Sequence, residues 1–317
     1  MRIKFWGVRG SIPTPERRNS RYGGNMPCIE VRLEDRNLII LDCGTGQRPL
    51  GKSLVREAAG APIRAHIFLT HFHWDHVQGI PFFTPFYSPL NTFVIRAATW
   101  RRQEIESVIK RQMMYPFFPV SPSVMGATRH IPQDEHWPVK ACSATVKFAP
   151  LNHPQGCVAY RVEADGSAFV YATDTELGSL EHGRALRDLA EGADVLVYDA
   201  QYTPAQLSRE KKGWGHSSWL EGTRIARDAG IKRVILFHHD RDSDDSTIDS
   251  SVENAREEFP ATSAAAEGMV WTLRNGEVAE ESKAFCRSGE VRLVPVATGS
   301  VSAPGEVAIE SNAAPTR

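Results

Sequence analysis

Several features that would mark other classes of protein are missing from this 317-residue sequence. It has no apolar run long enough to cross a bilayer. It has no charge excess typical of nucleic-acid binders, since 37 Lys and Arg stand against 38 Asp and Glu. Its five cysteines include no C-x-x-C pair, so we expect reduced, buried cysteines and no thiolate zinc site. The N-terminus lacks the apolar core of a secretory signal, which favours a cytoplasmic protein with no membrane partner.

Short β-branched and aliphatic runs bounded by Gly, Pro or Asp recur along the chain and predict strands. They are CIEVRLE, NLIILDC, RAHIFLT, NTFVIRA, CVAYRVE, SAFVYAT, ADVLVYD and RVILFHH. Helix patterns lie between several of them, at residues 99–114 and in SSWLEGTRIARDAG, where Ser218 and Glu221 form a capping-box pattern and Gly230 a stop. The sequence therefore predicts a layered α/β or α+β protein.

Two segments depart from this pattern. Residues 115–138 are rich in proline and aromatics and predict an ordered loop that covers a site. Beyond Val296 the apolar periodicity ends, which predicts a domain over residues 1–296 and a disordered tail over residues 297–317.

Polar side chains follow four of the predicted strands directly. Buried strand ends fix the backbone while the last side chain reaches into a crevice, as in the active sites of open sheets. The repetition suggests one shared site for His71, Asp174, Asp199 and His238.

The stretch THFHWDH is the densest of these strand ends. It has the pattern H-x-H-x-D-H, formed by His71, His73, Asp75 and His76. Neutral imidazoles and a carboxylate on one turn suit a divalent ion such as zinc. With the downstream strand ends, six or seven ligands are too many for one tetrahedral zinc and suit two metals roughly 3.5–4 Å apart.

These residues resemble the metallo-β-lactamase fold, an αββα sandwich of the α+β class, and within it the branch of RNase Z and the phosphodiesterase of bacterial phosphonate breakdown. The resemblance implies that His71, His73 and His153 bind one zinc, and that Asp75, His76 and His238 bind a second. Asp174 would bridge the two zinc ions, with manganese as a possible replacement. His239 is the alternative to His238, and Asp42 and Asp199 would orient ligand imidazoles or cap their turns.

The same resemblance implies hydrolysis of a phosphodiester by a metal-bound hydroxide that Asp75 orients. His216, in GWGHSS, would protonate the leaving group, or act as a supporting hydrogen-bonding residue. The motifs VRGSIPTP, YGGNMPC, DCGTG and HWDH are similar to those of bacterial proteins of this fold described as cyclic-nucleotide phosphodiesterase-like. The long RNase Z arm that grips transfer RNA has no counterpart, so we expect a small nucleotide and not a nucleic acid. Homodimerisation is implied by the resemblance alone.

Other functions compete with this interpretation. Lactonases and thioesterases of the same fold cleave carbonyl esters with similar ligands, and diiron redox or sensor proteins share the scaffold but prefer a glutamate where His73 stands. The stretch GQRPLGKS, Gly46 to Ser53, also fits a nucleotide-binding loop, although Pro49 removes a backbone donor. We expect His66, His130, His136 and His182 to be ordinary polar residues.

Overall fold

The computed structural model describes residues 1–97, 104–132 and 136–281. The predicted tail over residues 297–317 and the first residues of the helix predicted at 99–114 lie outside these ranges. Within them, no helix is both long enough and apolar enough to span a membrane.

Eight strands form the first sheet, in the order β15-β14-β1-β2-β3-β4-β5-β6. Strands β3 to β6 run parallel and the remaining neighbours run antiparallel. Their bounds are β1 Arg2–Gly7, β2 Cys28–Arg32, β3 Leu38–Leu41, β4 Arg64–Leu69, β5 Thr92–Ala97, β6 Thr128–His130, β14 Val270–Arg274 and β15 Glu277–Glu280.

Seven strands form the second sheet, in the order β13-β12-β11-β10-β9-β8-β7. Strands β10 to β13 run parallel, and β7 to β10 run antiparallel. Their bounds are β7 Val139–Ala141, β8 Ala144–Leu151, β9 Cys157–Ala164, β10 Ser167–Ala172, β11 Val195–Asp199, β12 Arg233–Phe237 and β13 Thr262–Ala264.

Helices cover the outer face of each sheet. Their bounds are α1 Gln47–Ala58, α2 Trp74–Val77, α3 Ile105–Gln112, α4 Leu180–Ala190, α5 Pro204–Arg209, α6 Trp219–Asp228 and α7 Asp245–Glu258. Apolar residues of α1 and α3 pack on the first sheet, and those of α4, α6 and α7 pack on the second. A third apolar cluster fills the space between the sheets. The predicted αββα sandwich is therefore confirmed.

Side chains alternate between the two faces of β4, so this one strand contributes to two of the apolar clusters. Ala65, Ile67 and Leu69 face the outer helices, whereas Phe68 points into the core between the sheets. Because both faces are covered, such strands are mostly apolar, and complete burial of one side chain like Phe68 contributes about 1.5–3 kcal/mol. The polar residues within β4 are Arg64 at its start and the partly buried His66, and the candidate ligands begin after its end.

All eight predicted runs form strands, and α6 begins after Ser218, whose side chain accepts a hydrogen bond from Leu220 N–H. One expectation is wrong: Cys142 is exposed, unlike Cys28, Cys43 and Cys157, while Cys286 lies outside the described ranges. The competing nucleotide-binding loop, against which Pro49 counted, does not form, because α1 begins at Gln47 and GQRPLGKS is helical after its first residue.

Candidate metal centre

The seven predicted ligands lie at one edge of the sandwich, contributed by both sheets. The first sheet supplies the residues that follow β4: His71 in the connecting turn, His73 at the N-cap of α2, and Asp75 and His76 within that helix. The second sheet supplies the residues that follow β8, β10 and β12, which are His153, Asp174 and His238. Both Asp174 and His238 have left-handed backbone conformations, with φ of 56° and 60°.

The candidate donor atoms include two adjacent groups. His71, His73 and His153 form the first donor set, and Asp75, His76, Asp174 and His238 form the second, with the donor atoms of each set within 4.8 Å of one another. The rings of His71 and His76, one from each set, are 4.2 Å apart between centroids. The partition matches the one that the resemblance implies.

Asp174 lies between the two sets and turns one carboxylate oxygen towards each. Its Oδ1 is 3.8 Å from Nε2 of His71 and 3.8 Å from Nε2 of His153. Its Oδ2 is 3.1 Å from Nε2 of His76 and 3.4 Å from Nε2 of His238. A carboxylate placed in this way can serve both donor sets at once.

Four of the five histidines have Nδ1 held by a protein oxygen, which leaves Nε2 directed into the cluster. The partners of Nδ1 are Thr70 Oγ1 for His71 at 3.0 Å, Asp42 Oδ2 for His76 at 2.8 Å, Gly215 O for His153 at 2.8 Å and Gln201 Oε1 for His238 at 2.8 Å. His73 is reversed: its Nε2 contacts Gln155 Oε1 at 3.1 Å, and its Nδ1 faces His153. Hydrogen bonds of this kind fix the tautomer and orientation of metal-binding imidazoles.

Two buried nitrogens in the cluster lack a hydrogen-bond partner within the described residues: Nε2 of His71 and Nε2 of His76. The 3.1 Å approach of His76 Nε2 to Asp174 is an ion-pair distance without the angles of a hydrogen bond. A buried polar atom left unpaired costs about 1–3 kcal/mol. Because imidazole nitrogens and carboxylate oxygens are donors that zinc accepts, these residues fit a pair of divalent ions.

The charges within the cluster also favour metal binding. Although burial opposes ionisation, the nearby histidines lower the pKa values of Asp75 and Asp174 well below the usual range of carboxyl groups. Burial lowers the pKa of His71 and that of His153, so both imidazoles stay neutral at pH 7. Ionised carboxylates and neutral imidazoles are the protonation states that bind a cation. His76 is the exception: the carboxylates of Asp174, Asp75 and Asp42 outweigh burial and raise its pKa, so this imidazole releases a proton when it binds an ion.

His216 lies beside the two sets and pairs with Asp199. Its Nδ1 is 2.9 Å from Asp199 Oδ2 and 3.8 Å from Asp174 Oδ1. Burial opposes protonation of His216, but the Asp199 carboxylate raises the pKa to about 9. The two supporting carboxylates therefore differ. Asp42 is hydrogen-bonded to His76, a member of the second set. Asp199 is hydrogen-bonded to His216, and the described hydrogen bonds join it to none of the five histidines of the two sets. His216 also has donor-atom spacing suitable for a metal together with His153 and Asp174.

The structure separates His238 from its neighbour. His238 Nε2 lies 3.1 Å from Asp75 Oδ2, while His239 Nε2 contacts the carbonyl of Ala265 at 2.9 Å, outside the cluster. His66 pairs with Arg96 and His182 with Ser179. Among the described residues, the groups with metal-ligand spacing include none of His66, His130, His136 and His182.

Supporting residues on distant loops were not predicted from the sequence. Ser11 donates its backbone N–H to Asp75 Oδ2 at 2.8 Å, and Gln201 holds His238. Gly10 explains part of the VRGS motif, since a Cβ at that position would lie 2.5 Å from the His238 ring. This glycine was the available signal, because a close approach of backbone to a ring excludes any side chain.

Comparisons with known proteins agree with the fold. Residues 37–239, well over half of the chain, match the family described as the beta-lactamase superfamily domain. Ribonuclease Z of Thermoplasma volcanium is 26% identical over 315 residues, which cover 86% of this chain and 98% of that protein.

Two solved structures also superpose over most of the chain. The metallo-beta-lactamase fold protein YhfI of Bacillus subtilis has a TM-score of 0.63 at 19% identity, covering 85% of this chain and 98% of that one. A diphosphatase of the PhnP family has a TM-score of 0.58 at 18% identity, covering 88% of this chain and 98% of that one. This chain belongs to the beta-lactamase superfamily domain family and has the metallo-β-lactamase fold.

Proposed function

We propose that this protein is a dinuclear metal-dependent hydrolase that cleaves a small phosphodiester, such as a 3′,5′-cyclic nucleotide. The observation that carries the proposal is the position of Asp174, with one oxygen towards each of two donor sets. The enzyme class predicted from the sequence, a metal-dependent phosphodiester hydrolase, is confirmed by the relatives. The substrate, the metal and the number of ions belong to the proposal.

His71, His73 and His153 would hold one ion, Asp75, His76 and His238 the other, and Asp174 would contact both. When bound, two divalent ions such as zinc or manganese would lower the pKa of a water molecule and neutralise phosphoryl oxygens. Asp75 would orient the attacking group, since its carboxylate is ionised and Ser11 and His238 fix its position.

His216 would donate the proton that the leaving alkoxide needs. Its pKa of about 9 keeps the ring protonated at neutral pH, and its Nδ1 is engaged by Asp199. The proton would therefore leave from Nε2. A group that is protonated at the working pH and fixed by a carboxylate is suited to general acid catalysis.

Two exposed tryptophans favour a substrate with a planar aromatic part. Trp74 lies between His73 and Asp75 in sequence and is 76% exposed, and Trp214 lies two residues before His216 and is 50% exposed. Lys211 Nζ lies 4.1 Å from the centre of a Trp214 ring, which adds a positive charge beside this loop. Exposed indole rings stack on nucleobases, and a cation suits a phosphate.

RNA is the second candidate substrate. The match with ribonuclease Z extends over 98% of that protein, so most of a named ribonuclease has a counterpart in this chain. The absence of an excess of positive charge favours the smaller substrate, because RNA binding draws much of its affinity from phosphate contacts.

The expected homodimer and cytoplasmic location stay predictions.

The test combines metal analysis with turnover of bis(p-nitrophenyl) phosphate before and after chelation, followed by 3′,5′-cyclic nucleotides and a precursor transfer RNA. We expect about two zinc or manganese ions per chain and turnover that chelation abolishes and metal restores. Metal without phosphodiester turnover would contradict the proposal, and p-nitrophenyl acetate or an added thiol under oxygen would then test the carbonyl-ester and diiron alternatives. Preference for the transfer RNA would select the second candidate.

His216→Ala should slow a cyclic nucleotide, which has a poor leaving group, about 10²–10⁴-fold. The same variant should slow bis(p-nitrophenyl) phosphate much less, because nitrophenolate leaves without a proton. Single-turnover rates on both substrates measure the difference. Equal slowing of the two would remove His216 from the acid role and favour its use as a ligand.

A further inference from the structure

The segment that carries His216 is a glycine-rich loop between α5 and α6. Gly213 and Gly215 have φ of 85° and 83°, in the left-handed region, and Trp214 between them is half exposed. Glycines make the chain conformationally free, so this loop needs anchors if it is to hold a reacting side chain in place. The described contacts include one such anchor, the side chain of Glu176.

Glu176 binds the loop with both carboxylate oxygens. Oε1 accepts the backbone N–H of Gly213 at 2.7 Å, and Oε2 accepts the backbone N–H of Gly215 at 2.9 Å. A bidentate carboxylate defines the position and the orientation of the loop together, because the two bonds share a rigid plane.

The backbone of Glu176 is fixed to the metal cluster in turn. Its N–H donates to Asn152 O at 2.9 Å, and its carbonyl accepts from Asn152 Nδ2 at 2.8 Å. Asn152 directly precedes His153, and Glu176 follows Asp174 by two residues. The carboxylate therefore reaches the glycine loop from a backbone that is tied to two members of the donor sets.

The glycine loop returns to the same histidine. Gly215 O accepts the Nδ1 hydrogen of His153 at 2.8 Å. The space is tight, because a Cβ at Gly215 would lie 2.4 Å from His153 Nδ1. A shift of Gly215 would turn the His153 ring, and it would also displace His216, the next residue in the chain.

We propose that Glu176 is a positioning residue that sets the orientation of His153 and His216 through the backbone of Gly213 and Gly215. The catalytic part of this inference rests on the proposed function, whereas the positioning of the loop does not. Substitution by glutamine keeps the shape but turns one acceptor into an N–H₂ group facing an N–H donor. Glu176→Gln therefore removes one of the two bonds, and Glu176→Ala removes both.

The first measurement is hydrogen exchange of a peptide covering Gly213 to Ser217 in metal-free protein. We expect exchange about tenfold faster in Glu176→Gln and faster still in Glu176→Ala, because the anchored amides open more often. Glu181→Gln, at an exposed position in the first turn of α4, is the matched control and should leave exchange unchanged. Unchanged exchange in both Glu176 variants, or equal acceleration in the control, would overturn the inference.

Zinc affinity and leaving-group dependence give the second test. Glu176→Gln should weaken zinc binding roughly tenfold, measured by competition with a chelator, since orientation of His153 by Gly215 is lost. It should also slow a cyclic nucleotide more than bis(p-nitrophenyl) phosphate. If the wild-type protein lacks phosphodiester turnover, the proposed function fails, and exchange and zinc affinity still decide the role of Glu176. Unchanged zinc affinity in Glu176→Ala would contradict the positioning of His153.

Discussion

The two donor sets differ in how firmly the protein holds them. All four members of the second set are buried. One of them, Asp75, contacts three residues: Ser11, His76 and His238. The first set includes the partly exposed His73, whose ring is reversed and contacts Gln155 on a loop. The second set is therefore held by contacts among buried side chains, whereas the first depends on loop contacts. We expect the second set to bind more tightly and the first to lose its ion more readily.

The largest effect is expected from Asp174→Ala, which removes the side chain shared by both sets. Metal content should fall close to zero and turnover by at least about a thousandfold, since several kcal/mol of charge stabilisation depend on the ions. Elemental analysis and initial rates measure both quantities. Asp188→Ala, at an exposed position of α4, is the control. Retention of two ions in Asp174→Ala would exclude a bridging role.

Asp42→Asn tests the support of the second set. Asp42 is fully buried at φ 57° and accepts from His76 Nδ1, Thr70 and Tyr171. Asparagine tolerates this backbone conformation but offers one acceptor fewer. We expect metal affinity to fall about 10–100-fold and unfolding free energy by about 1–3 kcal/mol. Urea unfolding measures the loss of stability, and metal affinity measured by chelator competition would not change if Asp42 merely capped its turn.

His73→Ala distinguishes the sets, because it removes one ligand of the first and none of the second. We expect about one ion per chain instead of two, with turnover reduced on the order of a hundredfold. Metal content after gel filtration, compared with that of His76→Ala, gives the answer. Loss of both ions in His73→Ala would mean that the sets bind as one unit.

Gln155→Ala should have the smallest effect. Gln155 is exposed, and its one side-chain hydrogen bond among the described residues is to Nε2 of His73. We expect affinity for the weaker ion to fall a few-fold, roughly the effect of one exposed hydrogen bond, with the tighter ion unaffected. Two-phase zinc titration resolves the two affinities, and a change confined to the tighter one would reverse the ranking.

Local sequence explains why some of this site was predictable. His71, His73, Asp75 and His76 lie within six positions after one strand, so a single turn brings them together. Asp174 and His238 were visible because polar residues end apolar runs. His153 depended on the family resemblance, since its position after β8 is not marked by a comparable apolar run.

The residues that were missed act across long sequence distances. Ser11 reaches Asp75 from 64 positions away, and Glu176 reaches Gly215 from 39 positions away. Contacts of this kind depend on how the loops pack, which no local pattern specifies. The GQRPLGKS stretch is the opposite case, because its local sequence already counted against a nucleotide-binding loop. Pro49 removes a backbone donor from a phosphate-binding loop but is tolerated in the first turn of a helix, and here it lies in the first turn of α1.

The candidate ligands lie on loops of both sheets, and this arrangement has a consequence for the lifetime of the protein. Four candidate ligands follow β4 of the first sheet and three follow strands of the second, so bound ions would cross-link the two halves of the sandwich. By mass action, an ion present at a hundredfold excess over its dissociation constant adds about 2.7 kcal/mol to the free energy of unfolding. Metal supply would then govern how long each chain survives proteolysis. A shortage of zinc would lower the amount of this protein as well as the activity of each remaining chain.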